Sequence, residues 1–338
     1  MVAQDFDGEK LAAYLKGHIH GFRGPVTAEK FPRGQSNPTY AISTPGAKYV
    51  LRRKPLGKLL KSAHAVDREY RVLKALAETD VPVPRVFHLC VDDTVIGSWF
   101  YVMEYMDGRV LWDPVLPGFR PQDRTSIYEE LNGVLAAIHQ VDIEAVGLAD
   151  FGQPGNYYER QVSRWTKQYR ASEVRNIKAM EALIEWLPKN VPPDDGRVSL
   201  IHGDFRLDNI VFASNECRAI AVLDWELSTI GHPIADLAYQ CMQRHMGQDL
   251  YFAGFGSLDT EKLGIPSEPK FIEMYCQRMG IECIEHWSFY LACSFFRLAA
   301  ICQGVEKRAF DGNASSEDAL KVGAMVEPLA KLGSEAFK

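Results

Sequence analysis

The spacing of hydrophobic and polar positions changes partway along the chain. Residues 8–20 carry Leu11, Leu15 and Ile19 at helical spacing, which predicts a short amphipathic helix. Residues 31–42 read as strand, polar turn, strand, and residues 48–53 as another strand closed by Pro55. From 64 to 78 the period turns helical, with Val66, Glu69, Tyr70, Leu73, Leu76 and Ala77 on one face. Glu69 stands inside that apolar stripe, and an inward carboxylate needs a cation or hydrogen bonds, because burying it unpaired is costly. Residues 86–91 and 99–106 then read as a strand pair. Beyond Gly108, helical patterns cover 122–140, 156–186, 234–245, 269–278 and 286–306, interrupted by β-like runs at 200–202 and 220–223. The expected fold is α+β in two lobes. Residues 1–106 form a small β-rich lobe with one inserted helix, and residues 107–338 a larger α-helical lobe.

Composition narrows the function classes. Of 338 residues, 46% are hydrophobic and 24% charged, as in ordinary globular proteins. A net charge of −6 argues against a dedicated nucleic-acid binder. The seven cysteines include no C-x-x-C pair, so neither a disulfide framework nor a zinc knuckle is readable. The longest apolar run, 289–296, is stopped by Arg297, and residues 1–10 lack a signal-type apolar core. The expectation is a cytoplasmic protein with no membrane partner. Charge is uneven: residues 1–106 hold 15 Lys and Arg against 11 Asp and Glu, whereas the remainder holds 23 against 33. Half of residues 52–61 are basic, which suits either a solvated face or an anion-binding one.

Two stretches carry chemistry. In the first, residues 199–212, apolar segments flank His202, Asp204, Arg206, Asp208 and Asn209, the pattern of a polar loop held rigid between buried strands. In the second, residues 219–226, an apolar strand delivers Asp224 at its end, followed by Trp225 and Glu226. Asp204, Asn209 and Asp224 together supply a base and two oxygen ligands, a set that suits Mg²⁺.

H-G-D-x-x-x-x-N, followed about 20 residues after its Asp by a strand ending in D-W-E, resembles the aminoglycoside phosphotransferase family and its choline- and homoserine-kinase relatives. The V-L-R-R-K-P, S-A-H-A-V-D-R-E-Y and G-H-P-I-A-D-L-A-Y segments are most similar to the kinase-like domain fused to some acyl-CoA dehydrogenases. The resemblance covers about residues 25–310 and implies a protein-kinase-like fold that uses ATP and Mg²⁺.

It also implies roles. Asp204 matches the catalytic aspartate, and Asn209 and Asp224 match the metal ligands. Glu226 either supports the metal site or caps local structure. Arg206 either meets the transferred phosphate or pairs with a loop carboxylate. His202 anchors the loop, and Asp236 braces it. Glu69 matches the helix glutamate that pairs with a phosphate-binding cation. The V-L-x pattern puts Arg52 where the fold normally has a lysine, so Arg52 is the preferred partner, with Arg53 and Lys54 as alternatives. Strand alternation sends Arg52 and Arg53 to opposite faces, so only one of those two can meet Glu69. Ser36, in the single-glycine turn 34–37, is a candidate phosphate contact. Glu104 and Met106 match the hinge that meets an adenine edge. Asp150-Phe151-Gly152 spells the kinase metal tripeptide but precedes the catalytic loop, so it reads as an ordinary loop; His18 and His20 read as surface residues.

The implied activity is transfer of the ATP γ-phosphate to a small-molecule hydroxyl, with a hydroxyacyl-CoA favoured and a functional link to an acyl-CoA dehydrogenase. An aminoglycoside- or choline-type acceptor and a non-catalytic nucleotide-binding protein are the alternatives. Tyr157, Arg160, Trp165, Trp287 and Arg297 are candidates for acceptor specificity.

Overall fold

The computed structural model describes residues 6–32, 37–56, 64–312 and 318–338. Ser36 and much of the basic stretch 52–61 lie outside the described residues. The chain forms two compact units. The first holds residues 1–109 together with 211–214 and 220–227, and the second holds the rest. The single boundary expected at 106/107 does not include those two later returns.

The first unit starts with α1 (Gly8–His18), whose N-terminus is capped by the Asp7 carboxylate accepting from the Glu9 and Lys10 amides. Strands β1 (Thr27–Lys30), β2 (Thr39–Ser43) and β3 (Lys48–Arg53) follow, then α2 (Val66–Leu76), β4 (Val86–Cys90) and β5 (Phe100–Glu104). They form an antiparallel sheet in the order β1-β2-β3-β5-β4. Leu11 and Leu15 of α1 and Ile19 just after it pack with Ile42, Leu51, Phe100 and Val102 in one apolar cluster. β1 ends at Lys30, so Phe31, expected to open a strand, lies beyond it.

β6 (Gly108–Val110) begins a three-stranded sheet that two later strands complete. Here Gly108 is obligatory, since a Cβ would sit 2.4 Å from the Phe212 carbonyl oxygen.

The second unit is largely helical. Helices α3 (Pro121–His139), α4 (Tyr157–Ser172) and α5 (Lys178–Trp186) precede β7 (Ser199–Ile201). The single helix expected over 156–186 is two helices. Glu173 and Ile177 are extended and flank Val174 and Asn176, both weak helix formers, while Ile177 buries its side chain. β8 (Ile210–Ala213) and β9 (Ala219–Val222) complete the β6 sheet in the order β6-β8-β9. β10 (Thr229–Gly231) pairs antiparallel with β7, Thr229 opposite Ile201. Then come α6 (Ile234–Cys241), α7 (Thr260–Leu263), α8 (Glu268–Met279), α9 (Trp287–Phe310), α10 (Ala319–Gly323) and α11 (Val326–Glu335). By length and composition α9 could cross a membrane, but 72% of its apolar stretch is buried within the fold. It serves as the central core helix, packed by α4, α6, α10 and α11. Asp150-Phe151-Gly152 is a loop, and Gly152 approaches the Ile230 amide so closely that a Cβ would lie 2.6 Å away.

Candidate active site

In the first unit, β3 divides its basic residues by the period of two. Arg53 turns to the α1 side, where its Nε donates to Ser98 Oγ at 2.9 Å. Arg52 turns to the other face, and its Nε lies 2.9 Å from Glu69 Oε2. Lys54 shares that face but reaches Asp67 instead, at 3.4 Å. The register sets Tyr101 of β5 directly opposite Arg52, and the Tyr101 hydroxyl donates to the same Glu69 oxygen at 3.0 Å. Glu69 is 1% exposed. Burial pushes its carboxyl above the ordinary range, against the pull of the Arg52 charge.

Arg52 also donates to Asp224, which β9 delivers to the same unit, and lies 3.8 Å from Glu226. Burial works against the guanidinium charge, but Asp224 and Glu69 outweigh it and hold Arg52 protonated. Asp224 has a left-handed backbone, φ 65°, unusual for a residue with a side chain. Its carboxylate is the accessible one, 32% exposed against 21% for Glu226. Trp225 is buried and donates to the Val222 carbonyl at 3.0 Å, which fixes the turn.

Asn37 completes this cluster. Its Nδ2 donates to Glu69 Oε1 at 2.9 Å and to Glu226 Oε2 at 3.2 Å, and its Oδ1 lies 3.1 Å from His64 Nδ1. Asn37 was not among the expected site residues; the signal available was its place at the end of the 34–37 turn, one residue before Pro38. Glu104 ends β5, pairs its amide with the Arg85 carbonyl at 2.8 Å and is exposed; Met106 lies two residues on and is half-buried.

In the second unit, β7 leads into the loop carrying Asp204. Asp236 at the start of α6 is fully buried and braces it, accepting from the His202 amide at 2.6 Å and the Gly203 amide at 2.8 Å. Burial alone would raise the Asp236 carboxyl, but His139, His202 and the Gly203 amide hold it below the ordinary range. The His202 ring accepts from the Asp204 amide at 3.2 Å, so His202 closes the turn. Asn209 Nδ2 donates to the Asp204 carbonyl at 2.8 Å and to its carboxylate at 3.2 Å. That leaves the Asn209 Oδ1 lone pairs as its remaining coordinating group. Arg206 spans two loop carboxylates, 3.3 Å from Asp204 and 3.1 Å from Asp208. Asp204 is 22% exposed. Tyr239 of α6 lies against it, and burial together with the Asp204 charge pushes the Tyr239 hydroxyl well above its usual range. Tyr239 therefore stays a neutral donor.

The accessible Asp224 carboxylate and the Asn209 amide oxygen are each, within their own unit, a group of the type that binds a hard cation. Both are hard oxygen donors, the chemistry that suits Mg²⁺. The five acceptor-side candidates separate. Arg160 donates to the Gly155 and Gln153 carbonyls, and Trp287 Nε1 to Glu268 at 2.5 Å, so both serve local structure. Trp165 and Arg297 meet each other, with the guanidinium 5.7 Å from the ring centre. Tyr157 packs against Gly231.

The sequence profile of the phosphotransferase enzyme family matches residues 27–270. A mouse protein named acyl-CoA dehydrogenase family member 10 is 49% identical over 326 residues, which cover 96% of this chain. The match spans only 30% of that relative's length. A crystal structure from Ralstonia eutropha, provisionally assigned as an aminoglycoside phosphotransferase, superposes with TM-score 0.88 at 50% identity, over 98% of both chains. A ternary complex of aminoglycoside phosphotransferase APH(4)-Ia with ADP and hygromycin B shares the fold at 14% identity and TM-score 0.63, over 97% of this chain and 98% of that one. With the family profile spanning most of the chain and a half-identical structure covering it end to end, the protein belongs to the phosphotransferase enzyme family and has its kinase-like fold.

Proposed function

We propose that the protein transfers the γ-phosphate of ATP, with Mg²⁺, to a hydroxyl of a small molecule, and that the acceptor is a hydroxyacyl-CoA. The observation that carries the reading is the fixation of Asp204. Two main-chain donors to Asp236, one ring acceptor from His202 and two Asn209 bonds hold its loop, while the carboxylate stays accessible. A carboxylate so held can orient an acceptor hydroxyl and take its proton as the phosphoryl group departs from ADP.

Asn209 and Asp224 would hold the metal, which neutralises charge on the nucleotide phosphates when bound. Arg52, fixed by Glu69, would meet a nucleotide phosphate; an arginine keeps its charge at every working pH and can fork to two oxygens. Glu104 and Met106 would offer backbone groups to the base, and Ser36 its hydroxyl to a phosphate. Arg206 would contact the transferred phosphate by exchanging one of its loop carboxylates for it. The acyl-CoA acceptor draws support from the relatives named as acyl-CoA dehydrogenase family members, and a functional link to such a dehydrogenase is part of the proposal.

The test is ATP turnover with Mg²⁺ against 3- and 4-hydroxyacyl-CoAs, aminoglycosides, choline and homoserine, with Asp204→Asn alongside. Turnover on a hydroxyacyl-CoA that the variant loses by about 10³-fold or more supports the reading. Turnover confined to an aminoglycoside or choline overturns the acceptor. ATP binding without transfer to any of them overturns the activity.

A further inference from the structure

Arg297 of α9 is placed unlike the other arginines around Asp204. Its Nη2 donates to the carbonyl of Gly203, one peptide before Asp204. Its guanidinium stands over two aromatic rings, 5.2 Å from the centre of Tyr239 and 5.7 Å from that of Trp165. Among the described residues it forms no ion pair with a carboxylate, whereas Arg206 is matched to both Asp204 and Asp208.

That difference has chemical content. Aromatic faces orient a guanidinium through their quadrupoles without cancelling its charge. A carboxylate would both orient and neutralise it. Two rings and a carbonyl therefore hold Arg297 in a fixed pose without a paired carboxylate, and among the described residues no further acceptor meets its N–H groups. Tyr239 lies beside both Asp204 and Arg297, so a single ring connects the base and the cation within the second unit.

We infer that Arg297 is the residue that reads the acceptor, binding a carbonyl-type oxygen carried a few atoms from the hydroxyl that Asp204 activates. The inference rests on Asp204 serving the acceptor side, as proposed above. The shared chemistry is an oxygen bearing full or partial negative charge, either the carboxylate of a free hydroxy acid or the thioester carbonyl of its acyl-CoA. A guanidinium suits both through paired N–H donors. It also sets a repulsive charge against a cationic aminoglycoside or choline.

The experiment compares wild type, Arg297→Gln and Arg297→Lys. Gln keeps an amide donor for the Gly203 carbonyl and removes the charge; Lys keeps the charge and removes the fork. Binding of 4-hydroxypentanoate, of its CoA thioester and of choline is measured by calorimetry, and acceptor KM and ATP KM are measured separately. The expected result is affinity weaker, and acceptor KM higher, by about 10–100-fold for carbonyl-bearing compounds in Arg297→Gln, partial recovery in Arg297→Lys, and ATP KM within about twofold. The free acid and the thioester, compared in wild type, identify which source of the oxygen is used. Unchanged acceptor affinity in Arg297→Gln overturns the inference, as does an equal rise in both KM values, which marks a purely structural role. Should wild type bind a carbonyl-bearing compound in an Arg297-dependent way yet transfer no phosphate, the inference stands and the phosphotransfer reading falls. Should wild type bind none of them, the inference falls, whatever other acceptor it phosphorylates.

Discussion

The side-chain amide of Asn37 donates to both Glu69 and Glu226, at 2.9 and 3.2 Å. One neutral group thus separates two carboxylates that would otherwise face each other beside Arg52. Asn37→Asp puts a further negative charge there and is expected to destabilise the fold by about 1–3 kcal/mol and raise the KM for ATP. Adding Glu226→Gln to Asn37→Asp restores an amide–carboxylate pair with its ends exchanged, and should recover part of both losses. Urea unfolding and ATP kinetics on the single and double variants check this.

Arg52 and Glu69 form a buried pair whose halves depend on each other. Removing one partner strands a charge in a poorly solvated site, at about 3–5 kcal/mol. Arg52→Met alone should cost in that range, while Arg52→Met combined with Glu69→Leu should cost less than either single change. A double-mutant cycle by denaturant unfolding measures the coupling.

Asp236→Asn keeps the shape of the brace but offers one carbonyl oxygen where the His202 and Gly203 amides need two acceptors. The amide nitrogen would face a main-chain donor. Stability should drop by about 1–3 kcal/mol, and turnover by about 10²-fold through misplacement of Asp204, with ATP affinity little changed. Nucleotide binding measured beside turnover separates the two.

Burial keeps His88 and His232 neutral, holding both below the ordinary value of 6.5, with the His18 charge adding to this at His88 and Asp195 opposing it at His232. The unfolded chain therefore takes up protons near pH 6.5 that the folded chain refuses. Their contribution is complete above that pH and is lost as pH falls below it. The melting temperature should decline from pH 7.5 to about 5.5, and His88→Gln with His232→Gln should flatten the slope. An unchanged slope in the double variant would sink the assignment.

Residues of the 202–209 loop were legible because charged groups interrupting apolar strands have few structural reasons to be there. Arg52 was legible because the V-L-x pattern sets it where the kinase-like fold carries a lysine, and a period of two lets only one arginine of the adjacent pair face α2. Asn37 was not, since an asparagine before a proline is the ordinary chemistry of a turn. Nor was the pairing of Trp165 with Arg297: they are distant in sequence, and their periodicity reports only that each lies on a core helix. The break between α4 and α5 escaped for a related reason. Tyr169, Met180 and Leu183 are all buried, so the hydrophobic spacing runs through a segment whose backbone turns away. The fold class depended on a coarse alternation of periods and was visible throughout.

The interleaving of the two units bears on how such a protein can be rearranged. The chain passes between them five times, and residues 220–227, which bring Asp224 to Arg52 and Glu69, arrive more than a hundred residues after residues 1–109 of their unit. A crossover in the gene at 109/110 would pair an N-terminal half with a foreign version of its own ninth strand and of the partner that holds its buried arginine. Recombination is therefore expected to preserve this region as an indivisible cassette, with new neighbours added only outside it.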